Sequence, residues 1–423
     1  MEVNAGFKQT EAGNIPQDWE ARPLSEIAKV TSGKRLPVGH FVTEKETPYP
    51  YIRVTDMRPG RVDTRDIKYV PVVAFEPISK YRIFKDDLFI SVAGTLGIVG
   101  KIPEELDGAN LTENADRISA ITCDRDYLLH VMLSPIVQSV IESERTVGAQ
   151  PKLALMRIRN FSIPLPPTLD EQRAIAAALS DVDALLDGLD RLFVKKLELK
   201  QAAMQQLLTC QTRLPGFGAE WTETRLGALG TFEKGSGVKK SESNSGGLPC
   251  VRYGEIYTHH ENVIREFFSS ISTKVASTAT RLQQSDLLFA ASGETKKEIG
   301  KCAAFTSNAE AYAGGDIVIL RGHGQQPTFM GYYCNAPDVA NQKASRGQGD
   351  AVVHISARAL GDIVVRLPPI DEQEAIAAVL SDMDAELAAL KARRDKTQNL
   401  KQAMMQELLN GKTRLIPTEG SHV

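Results

Sequence analysis

The sequence lacks most features that mark a secreted, membrane-bound or zinc-binding protein. Its five cysteines are scattered, without a CxxC pair or a nearby histidine at ligand spacing, so disulfides and structural zinc are not expected. No run of about 18 apolar residues occurs, and the start of the chain has no basic stretch followed by an apolar one. These absences predict a cytoplasmic protein that does not enter a membrane.

A surplus of positive charge is also missing. The formal net charge is −3, and residues 1–162 contain 21 lysines and arginines against 22 acidic residues. Residues 215–366 contain 16 against 15. Domains that bind nucleic acid usually carry a basic surplus, because each phosphate contact releases counterions. Composition alone therefore does not suggest DNA, and any DNA contact must come from local patches.

The chain is nevertheless long and ordinary enough in composition to fold. Hydrophobic residues make up 42% of it and charged residues 24%, values typical of soluble globular proteins. A length of 423 residues exceeds what one hydrophobic core usually serves. We therefore expect two or three domains.

An internal repeat organises the chain. Residues 165–177 recur as 367–378 with one residue lost, and an offset of 201 then persists for over forty residues. The rest repeats more weakly, with Trp19 matching Trp221 and Gly33 matching Gly235 at an offset of 202. The order is thus globular, helical, globular, helical, in which the helical segments are alike and the globular segments diverge.

Each helical segment begins with a recognisable start signal. Pro166 and Pro167 cannot lie inside a helix, and Asp170 and Glu171 suit a first turn, where negative charge meets the positive end of the helix dipole. Helices are predicted near residues 169–209 and 371–410. Each of about 38 residues would span roughly 57 Å.

Both predicted helices carry one apolar seam at spacings of four and three. Its members are Ile175, Leu179, Val182, Leu186 and Leu189 in the first copy and Ile376, Leu380, Met383, Leu387 and Leu390 in the second. The seam is interrupted by Lys196 and Lys200 and, in the second copy, by Lys401. A helix with one apolar stripe needs a partner, so we expect the two seams to pack against each other in an antiparallel coiled coil.

The globular segments are predicted to be mixed α/β (α+β). Short β-rich runs at residues 51–54, 88–92, 98–99 and 317–320 are bounded by glycine, proline and aspartate. The order of these strands in a sheet does not follow from the pattern.

A proline pair that leads into an acid-Glu-Gln helix, twice and each time after a divergent globular segment, resembles the specificity subunits of type I restriction-modification systems. Further motifs of the first half agree: Ile15-Pro16 with Trp19, the run at 51–56, Asp87 to Ile90 leading to Gly94, and Gly148 with Gln150 to Leu153. The second half departs from the pattern, because Gly347-Gln348-Gly349 lacks the following Pro-Lys.

The resemblance implies a domain plan and a set of partners. Residues 1–162 and 215–366 would be target-recognition domains that bind double-stranded DNA, and 163–214 and 367–423 the helical spacer. Two modification subunits, which bind S-adenosylmethionine, would dock on the spacer, and two restriction subunits, which use ATP and magnesium, can join them. This chain would hold no cofactor and perform no chemistry. Since a tandem repeat that folds back on itself has pseudo-two-fold symmetry, the target would be split.

Several residues are candidates for DNA contact. Arg53 and Arg252 occupy equivalent places after a strand-like run, where they either reach DNA or pair with Asp56 and Glu255. The full candidate set is Lys34, Arg35, Arg53, Thr55, Arg58, Gln150, Lys152, Lys239, Lys240, Arg252, Tyr253, Lys296, Lys297 and Arg346. Catalytic and metal-binding residues are not predicted.

Two other functions remain open. A coiled-coil scaffold without DNA affinity would need the same helices. A single-chain restriction-modification enzyme would need a methyltransferase motif in which an Asn, Asp or Ser precedes two prolines and an aromatic residue. Here Pro166-Pro167 and Pro368-Pro369 each follow leucine.

Overall fold

A computed structural model describes residues 6–143, 152–238 and 240–415. The chain forms two compact units, of which the first combines residues 1–189 with 393–423 and the second contains residues 190–392. The boundary between the units falls inside both long helices. Among the described residues, no helix is both long and apolar enough to cross a membrane.

Short strands and helices dominate the first half of the chain. The strands are β1 Phe7–Thr10, β2 Gly13–Pro16, β3 Glu20–Pro23, β4 Lys29–Ser32, β5 Pro50–Ile52, β6 Met57–Arg58, β7 Arg61–Val62, β8 Lys68–Tyr69, β9 Arg82–Ile83, β10 Leu88–Ser91, β11 Val99–Lys101, β12 Ala109–Leu111, β13 Ala115–Ser119 and β14 Ser162–Leu165. The helices are α1 Leu24–Ile27, α2 Val72–Phe75, α3 Arg125–Leu133, α4 Pro135–Ser143, α5 Leu155–Arg159 and α6 Leu169–Leu208.

The second half continues with the same kinds of element. Its strands are β15 Thr222–Arg225, β16 Thr231–Lys234, β17 Leu248–Val251, β18 Ser269–Ile271, β19 Thr280–Arg281, β20 Leu287–Ala290, β21 Ser292–Gly293, β22 Cys302–Ala304, β23 Tyr312–Ala313, β24 Ile317–Arg321, β25 Val353–His354 and β26 Val364–Leu367. Its helices are α7 Leu226–Leu229, α8 Tyr253–Thr258, α9 Thr273–Ala276, α10 Pro327–Tyr333, α11 Pro337–Arg346, α12 Ala357–Gly361 and α13 Ile370–Leu408.

The two globular domains have the same sheet topology. The first contains sheets of order β11-β10-β13-β4 and β8-β5-β12-β9, and the second contains β22-β20-β24-β16 and β18-β17-β23-β19. In each domain one pair is parallel, β5 with β12 and β17 with β23, and the other pairs of these sheets are antiparallel. The prediction of tandem α/β domains is confirmed, and the weak sequence repeat corresponds to a repeat of both four-stranded sheets.

Each domain contains a main core that includes its long helices and smaller cores that do not. The main core of the first unit joins Trp19, Leu88 and Tyr127 to Ile175 and Leu179 of α6. The clusters around Ile52 and Tyr51 contain no residue of α6 or α13. The sheet that carries β5 is therefore packed on apolar clusters that the long helices do not enter.

Both long helices begin where the proline pairs predict. Helix α6 starts at Leu169, directly after Thr168, whose hydroxyl accepts a hydrogen bond from Glu171 N at 3.2 Å. Helix α13 starts at Ile370, and the two helices contain 40 and 39 residues. The prediction of two long helices is confirmed within one or two residues at each end.

In the first unit the beginning of α6 packs on the end of α13. Ile175 and Leu179 share the buried core with Met405, Leu408 and Leu409. Asp183 pairs with Lys401 at 2.5 Å, and Glu171 forms a bidentate pair with Arg414. As residue numbers increase along α6, the residue numbers of its partners in the C-terminal segment decrease, so the two segments run antiparallel within this unit.

The second unit contains the equivalent contacts. Leu207 and Leu208 share a core with Ile376 and Leu380. Three ion pairs join the segments in the same antiparallel sense: Lys200 with Asp384, Lys196 with Glu386 at 2.7 Å, and Arg213 with Glu372 at 2.6 Å. The lysines that interrupt the seam thus supply interhelical ion pairs.

The expectation that Ile175 and Leu179 pack with Ile376 and Leu380 is wrong. Ile175 and Ile376 belong to different buried cores. Because the segments are antiparallel, the first turns of each helix meet the last turns of the other. Leu186, Leu189 and Leu387 are buried as well. Val182, Met383 and Leu390 are half-buried.

A short helix of each globular domain is anchored on its long helix. Gln172 accepts a hydrogen bond from Asp124 N at 2.8 Å, at the start of α3. Farther along α3, His130 Nε2 lies 3.0 Å from Ser180 Oγ, and its Nδ1 lies 4.0 Å from Asp183. Burial lowers the pKa of His130 to about 4, although the Asp183 carboxylate opposes this. The imidazole is therefore neutral at pH 7.

The corresponding anchor of the second domain uses a tyrosine. Gln373 accepts a hydrogen bond from Gln326 N at 3.1 Å at the start of α10, and the Tyr332 hydroxyl donates to Asp384. Burial disfavours the charge on Lys200, but the hydrogen bonds and negative charges of Asp384 and Glu261 together outweigh it and raise the lysine pKa. Both anchors end at the aspartate that pairs with the interhelical lysine.

Candidate nucleic-acid interface

In the first domain the ends of β4, β5 and β12 bring several predicted residues together. Gly33 N donates to Ala115 O at 3.0 Å, and a Cβ on this glycine would lie 2.1 Å from Thr112 O. Only glycine permits this close approach of two backbones. Lys34 N then donates to Leu111 O at 2.8 Å, and the hydroxyl of Tyr51 donates to Lys34 O at 3.1 Å.

Arg53 follows β5 directly and holds the turn that begins there. Its backbone N–H donates to the Asp56 carboxylate at 2.8 Å, and its guanidinium donates to Asp56 at 2.6 Å and to Asp66 O at 2.7 Å. Hydrogen bonding to Asp56 raises the pKa of Arg53. Of the two alternatives for Arg53, the structure thus contains the intramolecular pair with Asp56. DNA contact by Arg53 stays a prediction.

Neighbouring candidates are more open to solvent. Thr55 is exposed, and Arg35, whose side chain is largely exposed, pairs with Glu113 at 2.6 Å. Lys34 has no carboxylate within ion-pair distance in the described part of the chain, and its ammonium lies 5.6 Å from the centre of the Tyr81 ring. Arg58 donates to Thr55 O at 2.9 Å and pairs with Asp63. Lys34 and Arg35 follow β4 and Arg53 follows β5, and each of the three arginines is paired with a carboxylate.

The second domain repeats this arrangement. Arg252 N donates to Glu255 at 3.0 Å, and its guanidinium pairs with the same carboxylate. Gly235 is again held against backbone, since a Cβ there would lie 2.1 Å from Gly314 O. The exposed Tyr253 follows Arg252. The equivalence predicted for Arg53 and Arg252 extends to the turn that each arginine stabilises.

A cavity of 860 Å³ in the second unit brings Tyr253 and Lys297 together. Lys200 and Gln201 of α6 line it, as does Lys301. Burial lowers the pKa of Lys301. The sequence pattern did not point to Lys301, because a single lysine next to a glycine carries no periodic signal.

The remaining candidates lie apart or are engaged locally. Lys152 is exposed beside Ala93, and Lys296 is exposed in the segment after β21. Arg346 donates to Gln342 O at 3.0 Å, which caps its own helix. Gln150 and Lys239 lie outside the described residues. Lys240 begins a short 3-10 helix, Lys240–Glu242. The assignment of all these residues to DNA stays a prediction.

The described residues offer no candidate metal centre. No group of three histidine, cysteine, aspartate or glutamate side chains lies close enough within them to hold an ion. The five cysteines, all within the described ranges, are free thiols.

Comparison with known proteins gives one consistent family. The family model described as the type I restriction modification DNA specificity domain matches residues 16–192 and again 218–399. A putative type I restriction enzyme MjaX specificity subunit from Methanocaldococcus jannaschii is 25% identical and is covered over 97% of both chains. The EcoKI specificity subunit of Escherichia coli is 22% identical over 86% of this chain and 82% of its own.

Solved structures share the fold. The specificity subunit from M. genitalium aligns with a TM-score of 0.59 at 15% identity, over 96% of this chain and 98% of its own. A chain from a structure of type I system assembly and conformational transition aligns with a TM-score of 0.56 at 16% identity, over 94% and 99%. With the family model matched over both halves, the chain belongs to the specificity subunits of type I restriction-modification systems.

Proposed function

We propose that this chain reads a bipartite DNA target, each globular domain recognising one half, and positions modification and restriction subunits on it. The observation that carries the proposal is the pairing of one repeated topology with divergent loops. The shared sheet topology would orient both domains on DNA in the same way, while different loop side chains would let each domain contact different bases. The boundaries 1–162, 163–214, 215–366 and 367–423 are part of the proposal.

The helical segments would form an antiparallel coiled coil with pseudo-two-fold symmetry. Support comes from ion pairs that match under the repeat offset: Asp183 with Lys401 corresponds to Asp384 with Lys200. Glu171 with Arg414 corresponds in the same way to Glu372 with Arg213. Two equal docking surfaces for two modification subunits would follow.

Chemistry would belong to the partners. S-adenosylmethionine would bind the modification subunits, which methylate adenine, and ATP with magnesium the restriction subunits. Near-neutral domains make few phosphate contacts, so affinity would be shared with the modification subunits. We expect those subunits to raise affinity for target DNA at least about 10-fold at matched salt. Equal affinity with and without them would contradict this division.

An internal domain exchange tests the proposal. Residues 20–165 would replace residues 222–367, so that both half-sites are read by copies of the first domain. The frame supports this exchange, because the anchor partners Gln172, Ser180 and Asp183 are matched by Gln373, Ser381 and Asp384. Co-expressed with modification subunits, the variant should methylate a palindrome built from the first half-site, as read by methylome sequencing.

Three results would separate the alternatives. An unchanged asymmetric motif would reject modular reading. Absence of any methylated motif with the unaltered chain, despite complex formation, would favour a scaffold. Methyl transfer by the purified chain alone would favour an enzyme. A complex of the exchanged variant that elutes like the unaltered one serves as the folding control.

A further inference from the structure

The loop that joins β4 to β5 exposes two large apolar side chains. Val38 is 103% exposed and Phe41 is 82% exposed, the highest values among large hydrophobic residues of the described chain. Neither residue belongs to a buried cluster. We name these two residues the apolar tip. The two side chains lie on one loop and leave apolar surface available to a partner molecule, whose binding would remove that surface from water.

The loop is held in place at both ends. Gly33 and Lys34 anchor its start on β12 and β13, and Thr43 exchanges two backbone hydrogen bonds of 2.9 Å with Tyr69 at its end. Leu36 and Val42 turn inward, where they pack in the cluster around Tyr51 and Val70. The exposed residues 38–41 lie between these two inward-facing residues, so the fold presents the apolar tip at the surface.

The position of the loop points to DNA. It rises from the strand ends that also carry Arg53 and Thr55, on the side of the domain whose cluster contains no residue of the long helices. Lys34 and Arg35 lie at its base. A narrow tip with cations beneath it matches a groove, in which the cations face phosphates and the apolar side chains face the bases.

We propose that Phe41, supported by Val38, is a specificity-determining residue for the first half-site. The inference rests on the proposed function of the first domain. Base pairs offer an apolar side chain two kinds of surface, the thymine methyl group in the major groove and the face of an unstacked base. Either surface would be read by shape and would disfavour pairs that lack it.

Among its described residues, the second domain has no equivalent of the apolar tip. Its equivalent loop leaves Gly235 and turns back, because the Ser236 hydroxyl donates to Thr278 O at 2.9 Å and Gly237 lies against the same carbonyl. Apolar reading of this kind should therefore concern only one half of the target.

The test uses the full chain assembled with its modification subunits. Phe41→Ser should reduce discrimination at one or more positions of the first half-site by at least about 5-fold, with the second half-site unchanged. Phe268→Ser is the control for loss of an aromatic side chain in the other unit, where Phe268 is 46% exposed and stacks on His259. The control should leave the first half-site unaltered. Equal thermal midpoints of both variants exclude misfolding.

Uracil in place of each thymine of the first half-site separates the two surfaces. Weaker binding by the unaltered complex, absent in Phe41→Ser, identifies a methyl contact. No uracil effect, together with lost discrimination in Phe41→Ser, identifies a base face. Unchanged discrimination in Phe41→Ser overturns the inference. If discrimination is unchanged and the variant also assembles poorly with modification subunits, the tip is a protein contact instead. The proposed function fails separately, if the unaltered complex shows no sequence preference.

Discussion

The two units share their four-stranded sheets and interhelical ion pairs, and they differ in their loops. Their sheets have one topology, and the ion pairs of Asp183 and Glu171 are repeated by Asp384 and Glu372. The differences include the loops after β4 and β16 and the anchor, where Tyr332 takes the place of His130. The contrast teaches that the frame tolerates free variation in the loops, because loop residues contribute little to the main cores.

The largest expected effect comes from breaking the repeated buried ion pairs. Glu372→Ala should lower the free energy of unfolding by about 2–4 kcal/mol, because it removes a fully buried acid and leaves Arg213 without its partner. Glu171→Ala should cost a similar amount through Arg414. Urea unfolding checks both values. The exposed Asp170→Ala is the control, at about 0.5 kcal/mol. Losses that differ by more than about 2 kcal/mol would show that the two frames are unequal.

The anchors should differ in their response to acid. Because burial lowers the pKa of His130 from 6.5 to about 4 in the folded state, the unfolded chain binds a proton first as pH falls. The neutral His130 therefore makes its full contribution to the free energy of unfolding above pH 6.5, and this contribution is lost as the pH falls toward 4. His130→Tyr, which copies the second anchor, should lose about 2 kcal/mol less than the unaltered chain between pH 7.5 and 5. Parallel pH profiles of unfolding would contradict this cause.

The loop bases offer a smaller, matched pair of substitutions. Gly33→Ala and Gly235→Ala each place a Cβ 2.1 Å from a backbone oxygen, so the backbone must shift at a cost of about 1–3 kcal/mol. Each variant should also relax only its own half-site, which methylome sequencing measures. Gly247→Ala, which meets nothing within 4 Å, provides the comparison. Relaxation of both half-sites by one variant would argue against independent domains.

The smallest effect sharpens the comparison of the helices. Gly188 lies inside α6 with no atom within 4 Å of its missing Cβ, and the repeat places Ala389 at the matching position. Gly188→Ala should raise stability by about 0.5–1 kcal/mol, and Ala389→Gly should lower it by a similar amount. Thermal midpoints report both changes. A loss of stability in Gly188→Ala would indicate that the first helix needs flexibility there.

The frame could be predicted because its signals are local. A proline pair, two acids and a heptad seam mark where α6 and α13 begin. Strand order could not be predicted, since strands of two to five residues pair across distances that no local pattern encodes. The matching seams suggested that Ile175 and Ile376 share one core, whereas the antiparallel segments place the beginning of each helix against the end of the other.

The candidate site could be predicted from the sequence only in part, for related reasons. Arg53 and Arg252 stand out because the repeat aligns them, yet their carboxylate partners depend on tertiary geometry. The exposure of Phe41 could not be predicted, because a loop has no periodicity against which an exposed apolar residue can be recognised. Neutral net charge also concealed the cations that converge on the strand ends.

The composition of the first unit from two distant stretches has a consequence for synthesis on the ribosome. Residues 190–392 are contiguous, so the second unit can complete its core as soon as they emerge. Ile175 and Leu179 cannot complete their core until Met405, Leu408 and Leu409 have been synthesised, more than two hundred residues later. At about 5–20 residues per second, that delay is roughly 10–45 s. During this interval the nascent first domain exposes an apolar surface, which makes it the part of the newborn chain that most needs chaperone protection.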